Sequence, residues 1–296
     1  MLPETGSYIE RYQNRSLERL AQDFEEHIKR CRLCPRDCRV DRRREKGVCL
    51  QGEPARLTKA LLHKGEEPPL LEKNGAGAVF FSGCPMNCVY CQNFAFSQQN
   101  RGTDYTPEAL GDEFLRLQQL GASNLDLVTP TLHLPAIVKA LVYAVPKGLE
   151  IPIVYNTSSY ENPETLKQLN GVVDVYLADI RYTDREPGRR YSGVDDYWIV
   201  AKRAIREMFR QVGPKRLIIR HLVLPNDVAG TEAALAFVAE ELSTGVNISL
   251  MSQYFPVYNA KEHRAINRRI TEEEYEKAVD LLEKYALYNG WTQLFE

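Results

Sequence analysis

The sequence predicts an α/β protein built on a parallel sheet, and three observations carry that reading. Short apolar runs of strand length alternate with helical patterns six times after residue 77. Two of the helical stretches open on a capping residue followed by proline, Thr106-Pro107 and Asn162-Pro163. Glycine closes helical stretches at Gly121 and at Gly213-Pro214. A partial (β/α)6 barrel and a doubly wound sheet both satisfy this order, and in either one the active site belongs at the carboxyl ends of the strands.

The elements follow in sequence. Ala78 to Ser82 is the first strand, and the helix from Thr106 to Gly121 completes its unit. Leu125 to Thr129 is the second strand, followed by a helix from Leu134 to Ala144 that sets Ile137, Val138, Leu141 and Val142 on one side. Ile151 to Tyr155 precedes the helix opened by Asn162-Pro163, and Val172 to Ala178 precedes one around Tyr197 to Phe209. Leu217 to Leu224 leads to a helix from Thr231 to Leu242, and Val246 to Met251 to a last one near Thr271 to Tyr288, where Thr271 and Glu274 match a capping box. Upstream, Leu17, Leu20, Ala21, Phe24 and Ile28 recur at helical spacing. The expected organisation is an amino-terminal helix and cysteine module over 1–60, the barrel over 61–256 and a helical extension over 257–296.

At 296 residues, a core can form without disulfides. The 38 Lys and Arg nearly balance 40 Asp and Glu, which removes the global charge signature of a dedicated nucleic-acid binder. No apolar run is long enough to span a membrane, and the acidic first thirty residues lack the pattern of a signal or transit peptide, so the expected location is cytoplasmic. Thiols stay reduced there, yet seven cysteines crowd into the first 91 residues. An odd number in two tight groups points to metal ligation.

The second group, Cys84-x3-Cys88-x2-Cys91, follows the first strand directly. Three thiolates can hold three irons of a cubane that normally takes four, leaving one iron open; a zinc site completed by a distant residue uses the same ligands. The first group, Cys31-x2-Cys34-x3-Cys38-x10-Cys49, supplies the four thiolates of a closed site, for Zn2+ or for a second [4Fe-4S] cluster. Arg32, Arg36, Arg39, Arg42, Arg43 and Arg44 surround it, either as a solvated surface that balances a tetrathiolate or as a basic patch for RNA.

With Tyr90 immediately before its third cysteine, the Cys84–Cys91 run resembles the signature of the radical S-adenosylmethionine (SAM) superfamily. FFSGC-x3-C-x2-CQN, VTPT, YNTSSYE, VYLADIRY, IIRHLVLP and MSQYFP, in this order, are similar to the pyruvate formate-lyase activating enzyme-like branch. The amino-terminal cysteine stretch narrows the likeness to AmmeMemoRadiSam-type proteins. The resemblance implies a partial (β/α)6 TIM-like barrel. It also implies a [4Fe-4S] cluster on Cys84, Cys88 and Cys91 whose open iron chelates the methionine part of SAM. A reduced cluster of this kind splits the C5′–S bond of SAM, and the 5′-deoxyadenosyl radical abstracts a substrate hydrogen.

By the same resemblance Tyr90, Thr129, Asn156, Ser158, Asp179, Arg181, Arg220 and Leu222 contribute to cofactor binding. Val128-Thr129-Pro130-Thr131 departs from the superfamily's Gly-Gly-Glu, and Arg181 replaces the lysine of Asp-x-Lys. His133, Tyr160, His221, Gln253 and Tyr254 are expected at the barrel mouth as substrate contacts, with Glu161 beside Tyr160. The implied partners are a reductant such as ferredoxin or flavodoxin and, if glycyl-radical activation is the function, a protein substrate; no membrane or nucleic acid is expected. The alternatives are radical chemistry on a small molecule, peptide or RNA, and a non-catalytic zinc module that binds RNA. The ferredoxin-like insertion usual after the cysteine motif of glycyl-radical activating enzymes is absent.

Overall fold

A computed structural model describes residues 2–72, 74–293 and 295. The chain is mixed α/β, with a parallel sheet of the partial-barrel type, and its residues group into two compact units. The first comprises Met1–Pro85, Ala95–Thr157 and Glu161–Tyr176; the second comprises Met86–Phe94, Ser158–Tyr160 and Leu177–Glu296.

In the first unit, α1 (Tyr8–Gln13) and α2 (Ser16–Lys29) precede the cysteine-rich segment. The five apolar residues expected on one face of α2 are all buried. Ser7 ties α1 down by donating its N–H and Oγ–H to Asp174, and Tyr8 donates to the Ile151 carbonyl. β1 (Ala55–His63) runs antiparallel to β2 (Ala76–Phe81), with Leu61 opposite Ala78. The short α3 (Phe94–Ser97) leads to β3 (Thr103–Tyr105), which pairs antiparallel with β1. β2, β4 (Leu125–Val128) and β5 (Ile153–Thr157) are parallel neighbours, aligning Val79, Leu127 and Tyr155.

Between these strands lie α4 (Pro107–Gln119) and α5 (Leu134–Ala144), and α6 (Pro163–Gln168) follows β5. The side chain of Thr106 caps α4 by accepting the Ala109 N–H, and Asn162 caps α6 by accepting the Glu164 N–H.

β6 (Val175–Ile180) begins at the end of the first unit. The second unit continues with α7 (Arg185–Ser192), α8 (Tyr197–Val212), β7 (Leu217–Leu222), α9 (Thr231–Phe237), β8 (Asn247–Met251), α10 (Glu272–Lys284) and β9 (Gly290–Thr292). Its strand order is 6-7-8-9, with β7 parallel to β8 and β8 parallel to β9. The capping box at Thr271 and Glu274 forms as expected.

All six expected strands form, as β2, β4, β5, β6, β7 and β8. The structure adds β1, β3 and β9, and the boundary expected at residue 60 falls inside β1. The helix expected over Thr231 to Leu242 turns π-helical from Val238 onward. α7 has no apolar periodicity and carries Pro187 and Gly188. The proline sits in the first turn, where its missing N–H costs nothing, and a Cβ on Gly188 would lie 2.9 Å from the Val194 carbonyl oxygen. Among the described residues, no helix is long and apolar enough to cross a membrane.

Candidate functional site

The second unit holds a cavity of about 190 Å³ at the carboxyl ends of β6, β7 and β8. The end of β6 supplies Asp179, Ile180 and Arg181, and β7 supplies Arg220 and Leu222. The cysteine loop supplies Tyr90, Cys91, Gln92 and Asn93; Met251 and the stretch Gln253-Tyr254-Phe255 complete the wall. Eight residues expected at the site, from Tyr90 and Cys91 to Gln253 and Tyr254, thus meet around one space.

Charge inside it is organised by Asp179, which accepts from Arg181 Nη2 at 2.6 Å and from Arg220 Nε at 2.7 Å. Two guanidiniums against one carboxylate leave the pair cationic, suited to a carboxylate of substrate or cofactor. Among the described residues, the buried Nε of Arg181 has no hydrogen-bond partner. Tyr197, on α8, holds the turn after β6: its hydroxyl accepts the Arg181 backbone N–H and shares its own proton between the carbonyls of Asp179 and Ser158.

The loop carrying Cys88 is pinned by its backbone. Asn87 and Val89 donate N–H groups to the Ser192 and Tyr191 carbonyls, and the Val89 carbonyl accepts from Asn259. Ser192, on α7, donates its hydroxyl to Cys88 Sγ at 2.9 Å. Burial pushes the Cys88 thiol up and the Arg181 guanidinium opposes it, so a cation at the sulfur is what favours the thiolate. The Tyr90 ring packs edge-on against both Tyr182 and Tyr254.

Cys84 lies in the first unit, at the turn after β2, and its neighbours are fixed on several sides. Ser82 donates its N–H to the Arg56 carbonyl and Gly83 donates to the Phe96 carbonyl. Gly83 has φ +80°, and a Cβ there would meet Gln51 Nε2 at 2.5 Å and the Cys49 carbonyl oxygen at 2.8 Å. Arg36 donates its Nε to the Pro85 carbonyl at 2.8 Å. The amino-terminal cysteine segment therefore grips both sides of Cys84. At the ends of β4 and β5, the Thr129 N–H donates to the Asn156 carbonyl, and Thr129 itself is left-handed.

Two expected substrate contacts are packing residues instead. His221 lies between Arg220 and Leu222, so strand alternation turns it away from the cavity. Its Nδ1 lies 3.0 Å from the Ile180 carbonyl and its Nε2 3.1 Å from Thr231 Oγ1, with burial pulling its pKa down to about 4. His133 is buried in the first unit, stacked on Phe81 with Nε2 2.8 Å from the Ser82 carbonyl oxygen; burial lowers its pKa to about 3. Tyr160 is also outside the cavity wall, buried and donating to Asp196. Ser192, Tyr197 and Arg36 are contributors that spacing did not reveal. Only Arg36 carries a sequence cue, its place between Cys34 and Cys38.

Glu161 forms a separate buried network in the first unit. Its Oε1 accepts from Thr131 at 2.6 Å and Thr157 at 2.5 Å, linking the loop after β4 to the end of β5. Burial pushes its pKa up to about 7 against the pull of those hydroxyls. A raised carboxyl pKa favours folding in the protonated form, so this contribution is complete below the unfolded-state value and is lost as pH rises through about 7. Thermal midpoints should therefore fall from about pH 5 to about pH 8 more steeply in the natural protein than in Glu161→Gln. Equal slopes would show that Glu161 is ionised throughout.

The four thiols of Cys31, Cys34, Cys38 and Cys49 also lie in the first unit and act electrostatically on one another. Burial raises Cys31 to about 11 and Cys34 to about 12, while the Arg42 guanidinium pulls Cys31 and Cys49 the other way. Arg42 is buried, and among the described residues its Nε and Nη2 have no hydrogen-bond partner. As they stand, no three His, Cys, Asp or Glu side chains among the described residues are gathered closely enough to hold a metal ion. The donor chemistry nevertheless suits a thiophilic centre: soft sulfur ligands beside a buried guanidinium that would balance their charge.

Comparison with known proteins shows which family the chain belongs to. The chain is 37% identical over 270 residues to an uncharacterized protein of Methanocaldococcus jannaschii, covering 88% of this chain and 76% of that protein. It is 28% identical over 112 residues to a protein of the same organism named for glycyl-radical enzyme activation, covering 37% of this chain and 44% of the other. The crystal structure of a radical SAM methyltransferase from Sphaerobacter thermophilus superposes with a TM-score of 0.50 at 14% identity, covering 95% of this chain and 92% of that one, which shows the fold. The family model of the Radical SAM superfamily matches residues 78–238, more than half of the chain, from β2 into α9. With a cysteine triad after β2 and a cationic, tyrosine-walled cavity at the strand ends, the chain belongs to the radical SAM superfamily.

Proposed function

We propose that the protein cleaves SAM reductively and abstracts a hydrogen atom from a substrate, in the manner of glycyl-radical activating enzymes. The observation that carries this reading is the convergence of Cys91, Tyr90, Asp179, Arg181 and Arg220 on one cavity. Cys84, Cys88 and Cys91 would hold a [4Fe-4S] cluster, which with SAM would supply the one-electron reductive cleavage chemistry. The residues around it do the positioning. Ser192 fixes the Cys88 sulfur by hydrogen bonding, and Asp179 holds Arg181 and Arg220, which would receive the SAM carboxylate. Thr129 would serve the amino group of SAM, Asn156 and Ser158 its ribose hydroxyls, and Leu222 its adenine. Tyr90 and Tyr254 exclude water.

The substrate enters past Gln253 and Phe255, the latter 41% exposed at the cavity wall. An exposed aromatic beside a polar space suits a peptide loop presenting a glycine, and the relative named for glycyl-radical enzyme activation supports the same class. Anaerobically reconstituted protein supplied with dithionite and SAM should release 5′-deoxyadenosine. A glycine-loop peptide deuterated at Cα should pass deuterium into that product. Release without deuterium transfer from the peptide would favour a small-molecule substrate, and no release would reject the function.

Cys31, Cys34, Cys38 and Cys49 hold a second thiophilic centre, zinc or an iron–sulfur cluster, with Arg42 balancing its charge. A Cys84/Cys88/Cys91 triple-alanine protein should therefore retain a stoichiometric metal centre by elemental analysis. Triple-alanine protein free of both zinc and iron would contradict it.

A further inference from the structure

We propose that the exposed face of the amino-terminal cysteine segment docks an acidic one-electron carrier protein. The proposal rests on the radical SAM reading, which requires an electron donor. Between Arg30 and Leu50 the chain carries eight Lys and Arg against three Asp and Glu, while the whole chain has a net charge of −2. The excess positive charge is therefore local, and much of it is on the surface. Arg30, Arg39, Arg43, Arg44 and Lys46 are exposed, with the Arg44 side chain at 85%.

Asp37 pairs with both Arg32 and Arg39, and Asp41 pairs with Arg43, so the acidic residues hold guanidiniums in place. Apolar side chains stand among the cations: Val48 is 64% exposed and Leu50 is 46% exposed. Beside them is a cavity of about 190 Å³ where Arg42, Arg43, Lys46 and Arg56 outnumber the carboxylates of Glu53 and Asp104 on the same wall, the last paired with Arg56, and Leu50 adds an apolar side. A basic rim, an apolar pair and a cationic recess form a surface complementary to carboxylates around an apolar contact.

Position gives this face its purpose. Cys49, between Val48 and Leu50, presents its carbonyl oxygen to Gly83, the residue before Cys84; Arg36 reaches the Pro85 carbonyl on the other side. A carrier seated on Val48 and Leu50 is thus separated from the first cluster ligand by the cysteine segment alone. In the transfer, the carrier loses one electron and the cluster held by the Cys84 loop gains it, with no proton or group exchanged. Single-stranded nucleic acid is a poorer fit. The stretch from Arg30 to Leu50 contains no aromatic residue on which a base could stack.

The test uses a purified flavodoxin, an acidic FMN protein, and the full-length reconstituted chain. Calorimetric binding should weaken steeply as salt is raised. The charge reversal Arg39→Glu, Arg44→Glu, Lys46→Glu should raise the Kd by about tenfold or more. Its rate of reduction by flavodoxin should fall in parallel, while 5′-deoxyadenosine release driven by dithionite stays unchanged. If the triple reversal fails to fold, Arg44→Gln with Lys46→Gln should shift the Kd in the same direction by a smaller factor. Binding and reduction that ignore these substitutions would overturn the proposal, as would preferential binding of single-stranded RNA by this face. Failure of the underlying function would look different, since dithionite would then give no product in any variant.

Discussion

Cys88→Ala is expected to reduce 5′-deoxyadenosine release to background while leaving the chain folded. Cys88 is 5% exposed, and its sulfur accepts a hydrogen bond from the Ser192 hydroxyl. Its loop is held independently, through the N–H groups of Asn87 and Val89 and the Val89 carbonyl. Deleting one sulfur therefore leaves a small void and a freed hydroxyl, which costs on the order of 1–2 kcal/mol. Two thiolates cannot hold three irons of a cubane, so iron content should fall together with activity. Ser192→Ala makes the contrast: the ligand remains, and the expected change is in the visible spectrum and reduction potential rather than in iron content. A Cys88→Ala protein with full iron and normal release would remove Cys88 from the ligand set.

Asp179→Ala carries the second large effect. Its carboxylate receives Arg181 Nη2 and Arg220 Nε, and without it two guanidiniums repel across the cavity and lose their orientation. The expected loss is about 10- to 100-fold in kcat/KM for SAM, equivalent to about 1.4–2.7 kcal/mol of transition-state stabilisation. On the proposed function the guanidiniums would hold SAM in the ground state as well, so much of the loss should appear in KM. Asp179→Asn keeps one acceptor oxygen and should fall between the two. An Asp179→Ala enzyme with unchanged KM and kcat would show that the triad only supports the strand end.

Much of the fold was legible because its signals are local. Thr106, Asn162 and Thr271 each cap the helix they were expected to open, since a short polar side chain before a helix satisfies free N–H groups wherever the rest of the chain lies. The apolar runs became strands buried on both faces, as parallel strands require. β1 was not legible. Only Ala55 and Leu57 in it are fully buried, and Arg56 and Lys59 interrupt its pattern.

The cavity lining was legible where a motif or strand-end position carried it, at Tyr90, Cys91, Asp179, Arg181, Arg220 and Leu222. It was misread at His221, because a one-residue difference along β7 reverses the face. Ser192 and Tyr197 were invisible for another reason: they reach Cys88 and Asp179 from helices distant in sequence, and no spacing rule links such positions.

Electron paramagnetic resonance of the dithionite-reduced, anaerobically reconstituted protein, recorded with and without SAM, tests the open-iron claim most directly. The reduced-cluster signal should change when SAM is added and acquire hyperfine coupling from SAM labelled with ¹⁵N or ¹⁷O in its methionine part. A signal identical in both samples, with no coupling to either label, would mean that every iron is already fully ligated by the protein.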